Sequence, residues 1–217
     1  MLKFYYNPLS VNARRVWVAL LEKQIPFEPV LLKLNGDQFQ PEFTDTNPFQ
    51  QVPVLLDQDF RIIESLAILD YLEAKYPSPP LMPKEAHLIA IVRMVEMITV
   101  NELQPATVPL MKQLMQMDVA ADAVDKANQR ILTVLQFYED LLGTAPYFAG
   151  EEFTLAEVVA GTLVTALPMF GIPIANYARL DAWLNQLEAR ESWQQTAPSP
   201  VAIAAAMGSI KQILKRR

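Results

Sequence analysis

The spacing of apolar residues changes part-way along this chain of 217 residues. Up to Tyr76, short strand-like segments alternate with stretches in which apolar residues recur every three or four positions. The first pattern predicts strands and the second predicts amphipathic helices. From residue 85 onward only the helical period remains. The sequence therefore predicts an α/β domain followed by an all-α domain.

The first domain has the order β-α-β and then β-β-α. The helix between the first two strands acts as a crossover connection, which makes those strands parallel. The next two apolar segments are separated by only three polar residues and predict a hairpin. The predicted elements are strands at 2–6 and 28–33, a hairpin of 53–56 and 60–63, and a helix that ends before Pro77.

A proline-rich segment separates the two domains. YPSPPLMP (76–83) contains four prolines and predicts a stiff connector. We expect a first domain at 1–77, a linker at 78–84 and a helical domain at 85–217. Within the helical part, 154–167 is apolar nearly all round, which is typical of a central buried helix. At its start, Thr154 and Glu157 have the spacing of a capping box, which we interpret as structural.

Composition limits the available chemistry. The chain has no cysteine, which excludes disulfides, thiolate metal sites and cysteine nucleophiles. A single histidine, His87, excludes multi-histidine zinc sites and triads with a histidine base, and we expect it to be exposed. The net charge of -6 argues against nucleic-acid binding. Without a long apolar run or an N-terminal leader pattern, we expect a soluble cytoplasmic protein that does not bind membranes.

Ser10 lies where the first strand meets the first helix. Serine at this position commonly caps a helix, and that role alone would explain it. Alternatively, its hydroxyl donates a hydrogen bond to a ligand sulfur, which favours the thiolate over the thiol. Asn12, Tyr5 and Tyr6 are further candidates for the same task.

Glu64 and Ser65 come directly after the hairpin and before a helix. They fit an ordinary helix start with an acidic neighbour. They also fit the head group of an α-amino acid, because Glu64 offers a charge for its ammonium. Its carboxylate would then bind the Ser65 hydroxyl and the open amides of the helix N-terminus.

NPFQQVPVLL (47–56) places Pro53 in an apolar, strand-like run. Because proline lacks an N–H donor, Pro53 must lie at a turn that enters the strand. This stretch alone favours a trans bond between Val52 and Pro53, although a cis bond remains open. With a cis bond, the Val52 N–H and C=O could pair with an extended peptide, and Gln51 would add an amide beside them.

Four motifs in this order resemble the cytosolic glutathione transferase family over essentially the whole chain. They are PLSVNARRV (8–16), NPFQQVPVL (47–55), IIESLAILDYL (62–72) and FTLAEVVAG (153–161). The similarity is to bacterial serine-type members of the theta, phi or chi kind. It implies a thioredoxin-like domain followed by an all-α domain, a cis bond before Pro53, and a homodimer in which Phe49 inserts into the partner.

The resemblance also implies roles for individual residues. Ser10 matches the catalytic serine, although the subclass leaves Asn12 or a tyrosine as alternatives. The lack of cysteine excludes the beta and omega patterns, and Ser-Val-Asn-Ala (10–13) differs from the double-serine-and-cysteine signature of the zeta isomerases. The implied glutathione contacts are Gln51, Val52 and Pro53 for the cysteinyl part, Glu64 and Ser65 for the γ-glutamyl end, and Gln38 in GDQFQPEF for the glycyl carboxylate.

The expected activity is conjugation of the glutathione thiolate to small hydrophobic electrophiles, as in detoxification. Glutathione is then a co-substrate, and neither a metal nor a protein nucleophile is needed. Glutathione-dependent isomerase, dehalogenase or peroxidase chemistry, or a noncatalytic binding role on the same fold, remain alternatives. The residues expected near the electrophile are Leu9, Asn12, Val108, Met111 and Met115.

Overall fold

The computed structural model describes residues 1–33 and 36–216, which divide into two compact units. The first unit comprises residues 1–80 together with residues 192–216, and the second unit is Leu81–Glu191. The sequence analysis instead assigned everything after residue 84 to one helical domain. The structure differs in grouping 192–216 with the first unit. Arg217, the last residue of the expected helical domain, lies outside the described residues.

A mixed sheet forms the centre of the first unit. Within the described residues it has four strands in the order β2-β1-β3-β4. Strand β1 runs parallel to β2 and antiparallel to β3, and β3 and β4 form the predicted hairpin. The β-α-β and β-β-α order expected from the sequence is confirmed. The strands are β1 (Leu2–Tyr6), β2 (Phe27–Leu31), β3 (Val54–Asp57) and β4 (Phe60–Ile63).

Helices cover this sheet because successive strand residues point to opposite faces. Phe4 is fully buried in a cluster with residues of α1 (Val11–Glu22) and α3 (Ser65–Lys75). Its neighbour Tyr5 belongs to another cluster, with a ring centroid 5.9 Å from that of Phe43 in α2 (Pro41–Thr46). Full burial of such an aromatic side chain contributes about 1.5–3 kcal/mol.

Residues 192–216 join the first unit through polar contacts with α1. They form most of α9 (Glu191–Thr196) and all of α10 (Pro200–Arg216). Arg14 Nε donates to the Thr196 hydroxyl at 3.3 Å, and Ser192 donates to the Glu22 carboxylate. These bonds tie the end of the chain to α1 within the first unit.

The end of β3 is tied to α3 by a charged cluster. The Asp57 carboxylate accepts hydrogen bonds from the Lys75 ammonium and the Tyr71 hydroxyl. These bonds, with that from Lys75 the stronger, hold the pKa of Asp57 below its usual value. The same carboxylate raises the pKa of Lys75 and of Tyr71. The cluster therefore stabilises the hairpin against the helix only while Asp57 is ionised.

The second unit is helical, as predicted. All ten residues of α7 are buried, so the expectation of a central helix is confirmed. No helix in the part of the chain that the structure describes is both long and apolar enough to cross a membrane. The main elements are α4 (Ala86–Ile98), a π-helical segment (Thr99–Leu103), α5 (Gln104–Leu114), α6 (Ala121–Leu142), α7 (Leu155–Val164) and α8 (Ala178–Glu188), with 3₁₀ turns at Leu167–Phe170 and Ile174–Asn176.

The predicted capping box at the start of α7 is confirmed. The Thr154 hydroxyl accepts a hydrogen bond from the Ala156 N–H at 3.2 Å. Glu157 reaches back to accept from the Thr154 N–H at 2.8 Å, and its other oxygen accepts from the Phe148 N–H at 2.8 Å. Complete burial raises the pKa of Glu157, and the bonds from Thr154 and Phe148 oppose that rise. Glu157 thus serves the structure of this unit.

Candidate functional site

A cavity of about 380 Å³ opens in the first unit beside the N-terminus of α1. This volume lies in the range of small-molecule sites. The cavity brings together Ser10, Asn12, Gln38, Gln51 and Val52, which were predicted as site residues from three separate segments of the sequence. The complete lining is Ser10, Asn12, Leu32, Gln38, Phe39, Phe49, Gln50, Gln51, Val52 and Ile213.

Ser10 caps α1 and also lines the cavity. Its Oγ accepts a hydrogen bond from the Ala13 N–H at 3.2 Å, which is the capping role considered from the sequence. That bond uses a lone pair and leaves the hydroxyl hydrogen available for a second partner. Because helix N-termini carry partial positive charge, an anion beside Ser10 would be favoured. The capping and donor roles are therefore compatible in one side chain.

Two Asn-Pro turns fix the loops that carry the site residues. Asn7 Oδ1 accepts from the Leu9 N–H at 3.0 Å, and Asn7 Nδ2 donates to the Leu32 carbonyl at 2.7 Å. Asn47 repeats this arrangement, accepting from the Phe49 N–H at 3.0 Å and donating to the Gln51 carbonyl at 2.8 Å. Sequence reasoning missed both asparagines, although the Asn-Pro dipeptides themselves are turn signals.

Val52 is part of the cavity wall, and the bond that follows it is cis. The isomer implied by the family resemblance is thus confirmed, whereas the trans isomer favoured by the stretch alone is wrong. Pro53 is itself buried and lies immediately before β3. It adjoins the cavity through Val52 rather than lining it.

Two carboxamide oxygens in the cavity wall lack partners. Among the described side chains, Asn12 Oδ1 and Gln38 Oε1 are buried and accept no hydrogen bond. Gln38 is only 6% exposed. An unpaired buried acceptor costs about 1–3 kcal/mol, so these two side chains are held in place at a cost in stability.

Glu64 and Ser65 lie at the start of α3, outside the cavity lining. Glu64 is exposed and has a φ of 69°, which is uncommon for a residue with a side chain. Such a conformation costs about 1–3 kcal/mol and is often retained at binding sites. Ser65 is 6% exposed, and its Oγ accepts from Arg15 Nη1 at 3.4 Å. Their binding of an amino-acid head group stays a prediction.

Both units match family models. Residues 4–80 match the model described as glutathione S-transferase, N-terminal domain, and residues 74–191 match glutathione S-transferase, C-terminal domain. The chain belongs to the glutathione S-transferase family. The family, the fold and the enzyme class predicted from the sequence motifs are thereby confirmed.

Individual relatives of this transferase agree with the match. Glutathione S-transferase 3 of Zea mays is 35% identical over 206 residues, which cover 90% of this chain and 92% of that protein. A maleylacetoacetate isomerase of Rattus norvegicus is 33% identical over 192 residues, covering 85% of this chain and 86% of that protein. A solved glutathione transferase homolog from Sulfitobacter with bound glutathione has a TM-score of 0.79 and 26% identity, covering 90% of this chain and 96% of that chain.

The residues predicted to contact the electrophile of the transferase are divided between the two units, and of these only Asn12 lines the cavity. Leu9 is on the β1–α1 loop and does not line the cavity. Val108 and Met111 lie within α5 of the second unit, and Met115 follows the end of that helix. Val108 is 42% exposed, whereas Met115 is only 6% exposed. Their contact with an electrophile stays a prediction.

Several lining residues of the transferase cavity were not anticipated. Leu32, Phe39, Phe49 and Ile213 give it apolar walls, and Gln50 adds another carboxamide. Phe39 and Gln50 are neighbours of residues that the motifs identified. Nothing in the local sequence indicated Ile213, because its place depends on the return of α10 to the first unit.

Proposed function

We propose that this transferase binds glutathione in the cavity of the first unit and conjugates its thiolate to small hydrophobic electrophiles. The proposal includes the serine-type subclass, a cytoplasmic role in detoxification and assembly as a homodimer. The observation that carries it is that Ser10 and Val52, the residue before the cis proline, line the same cavity. The Ser10 hydroxyl can stabilise a thiolate, and the Val52 backbone can pair with a peptide.

Ser10 acts on the thiol of glutathione. A free thiol has a pKa of about 8.5, so little thiolate is present near neutral pH. A hydrogen bond from a hydroxyl to a charged acceptor contributes about 1.5–3 kcal/mol, which lowers the pKa by about one to two units. Since the Ser10 oxygen already accepts from Ala13, the hydroxyl hydrogen is the atom that points to the sulfur. The thiol proton leaves to solvent. The sulfur lone pair then forms the new bond to carbon while the electrophile releases its leaving group with the bonding electrons, such as chloride from an aryl chloride.

The rest of glutathione extends along the loops described above. Val52 pairs its backbone with the cysteinyl residue, and Gln51 adds its side-chain amide. Gln38 contacts the glycyl end, and Glu64 and Ser65 bind the γ-glutamyl end. Support comes from the shared cavity for the first three residues, and from the unusual backbone of Glu64 for the last two.

The decisive experiment is an ultraviolet difference titration of the thiol of bound glutathione. In the wild type we expect its pKa to fall by about one to two units below that of free glutathione. In Ser10→Ala the pKa should return toward the free value. Ser10→Gly is the matched control, because glycine retains most of the capping stability but also lacks the hydroxyl.

The outcomes of this titration separate the candidates. A depressed pKa in all three proteins would transfer the role to Asn12, to a tyrosine or to the helix terminus. If the pKa of the bound thiol returns toward the free value in Ser10→Ala but stays depressed in Ser10→Gly, the effect would be assigned to capping of the helix. If glutathione does not bind to the wild type, the transferase proposal fails and a noncatalytic role on the same fold replaces it.

A glutathione-dependent isomerase is the second candidate, favoured by the maleylacetoacetate isomerase at 33% identity. Against it, residues 10–13 are Ser-Val-Asn-Ala rather than the signature of the zeta isomerases. Conjugation consumes glutathione and forms a thioether, whereas isomerisation regenerates glutathione. Measuring glutathione consumption with maleylacetoacetate and with an aryl chloride therefore distinguishes the two reactions.

A further inference from the structure

The turn that leads into Ser10 is built around one buried asparagine. Asn7 is 6% exposed, and its Oδ1 accepts a hydrogen bond from the Leu9 N–H at 3.0 Å. The backbone carbonyl of Asn7 accepts from the Ser10 N–H at 3.0 Å, which closes a four-residue turn with Pro8 in its second position. Proline is favoured there because its ring fixes φ at about −65°. Asn7 therefore determines where the backbone of Ser10 lies.

The side chain of Asn7 is also anchored to the end of β2. Its Nδ2 donates to the carbonyl of Leu32 at 2.7 Å, and Leu32 directly follows β2 and lines the cavity. The Leu32 N–H in turn donates to the Tyr6 carbonyl at 2.9 Å. A rotation of the Asn7 side chain would leave buried polar groups unpaired. The sheet thus fixes the turn, and the turn fixes Ser10.

Ser10 itself is held at two points. Its N–H is bound by Asn7, and its Oγ accepts from the Ala13 N–H at 3.2 Å. These bonds fix the hydroxyl of a residue that lines the cavity. A hydrogen bond weakens steeply when its geometry changes, and a misplacement of about 1 Å can cost about a hundredfold in rate. A small shift of the turn would therefore weaken a bond from Ser10 to a ligand sulfur.

We propose that Asn7 is a positioning residue that holds the Ser10 hydroxyl where it favours ionisation of the thiol of bound glutathione. The inference rests on the proposed function, in which Ser10 donates to the thiolate. Asn7 does not line the cavity, so it acts through the turn rather than by contact with glutathione. Loss of Asn7 should therefore change the ionisation of the thiol more than the binding of the peptide.

The test repeats the ultraviolet difference titration with Asn7→Ala, which removes both side-chain bonds and adds no charge. We expect the pKa of the bound thiol to rise by about one unit, because the displaced hydroxyl no longer stabilises the thiolate. With chlorodinitrobenzene as the electrophile, kcat/KM for glutathione should fall about tenfold relative to the wild type at about pH 6.5. The fall should be small at about pH 9.5, where the thiol ionises without help. KM for glutathione should change less than about threefold.

Asn7→Ser separates the two side-chain bonds. The serine hydroxyl can accept from the Leu9 N–H, although more weakly than the asparagine oxygen, but it is too short to reach the Leu32 carbonyl. We expect a smaller rise in the pKa of the bound thiol, by about half a unit. Melting temperatures report on the folding of both variants, and Asn7→Ser provides the measurement if Asn7→Ala does not fold.

Asn47→Ala is the matched control. Asn47 makes the same pair of side-chain bonds in the same unit and is 3% exposed, but its turn leads to Gln51 rather than to Ser10. We expect this variant to raise KM for glutathione about tenfold and to leave the pKa of the bound thiol at the wild-type value. The contrast distinguishes the positioning of Ser10 from a general loosening of the unit.

A double-mutant cycle tests whether Asn7 acts through Ser10. In a Ser10→Ala background, Asn7→Ala should cause no further rise in the pKa of the bound thiol, because the hydroxyl that Asn7 positions is absent. A further rise as large as that in the wild-type background would overturn the inference.

Two other results would overturn the inference while leaving glutathione binding intact. One is a pKa of the bound thiol in Asn7→Ala and Asn7→Ser that equals the wild-type value. The other is an equal rise in Asn7→Ala and Asn47→Ala, which would assign the effect to lost packing. Failure of the proposed function gives a different result, because the wild type itself would then bind no glutathione in a calorimetric titration.

Discussion

The serine at the start of α3 illustrates how tightly single residues are held here. Ser65 is 6% exposed and accepts from Arg15, which is itself 1% exposed. Because Arg15 belongs to α1, the bond joins the helix that carries Ser10 to the helix that carries the proposed head-group site. A change at Ser65 therefore acts on packing through Arg15 and, in the proposed glutathione site, also removes a hydroxyl that contacts the ligand.

At this scale we predict that Ser65→Ala raises KM for glutathione by about tenfold and leaves kcat nearly unchanged. The reason is that the lost contact to the γ-glutamyl carboxylate is made equally in the ground state and the transition state. Steady-state kinetics measure the effect, and the melting temperature reports any loss of packing. Ser78→Ala, at an exposed serine of the connector, is the control. An unchanged KM would contradict the head-group assignment.

Single residues were predictable where a short motif contains the whole signal. Ser10 and Gln51 were identified in this way, and both line the cavity. The hydrogen bond from Asn7 to Leu32 was not, because the partner is 25 residues away and follows the end of β2. The local sequence specifies the turn at Asn7, but only the folded sheet determines which carbonyl accepts the hydrogen bond from its side-chain amide.

At the scale of elements, the connection between β3 and α3 depends on pH. A depressed folded-state pKa means that the unfolded chain binds a proton more readily than the folded chain does. The contribution of Asp57 is therefore present above its usual pKa of 3.8 and is lost as the pH falls through the lower folded-state value.

We predict that Asp57→Asn lowers the free energy of unfolding at pH 7, and that its difference from the wild type shrinks toward zero as the pH falls below 3.8. Urea unfolding at pH 7 and at pH 3 measures both quantities. Asp59→Asn, at an exposed aspartate of the same hairpin, is the matched control for the loss of one carboxylate. A difference that stays constant with pH would contradict the assigned role of the cluster.

Element prediction was most successful for strongly apolar segments. Strands β1 and β4 were predicted from short strand-like segments, and the buried helix α7 from a run that is apolar nearly all round. Helix α2 was not predicted, since Phe43 is its only buried residue in the structure. Phe43 packs against Tyr5, on the face of the sheet opposite to that of Phe4. One buried residue cannot produce a periodic pattern in the sequence.

At the scale of the whole molecule, the proposed homodimer offers a test of an exposed aromatic side chain. Phe49 is 64% exposed and comes from the loop fixed by Asn47. Burying a phenylalanine contributes about 1.5–3 kcal/mol, and a symmetric interface buries it twice. We predict that the wild type is a dimer and that Phe49→Ser weakens dimerisation at least about a hundredfold.

Sedimentation equilibrium over a range of protein concentrations measures the dissociation constant of the dimer. Phe60→Ser is a matched control, because Phe60 is 59% exposed in the same unit but lies on the β3–β4 hairpin. It should leave the dimer intact. A monomeric wild type would refute the homodimer, and equal weakening by both substitutions would refute the specific role of Phe49.

The return of residues 192–216 to the first unit affects the order in which the protein is completed during synthesis. The second unit, Leu81–Glu191, is continuous in sequence and can fold as soon as it has left the ribosome. The bond from Arg14 to Thr196 joins residues separated by 182 positions, so it can form only after the whole second unit has been synthesised. The same holds for the cavity wall that includes Ile213. A chain whose synthesis stops before residue 192 would therefore contain the segments of the sheet and of the helical unit but would lack part of the cavity wall.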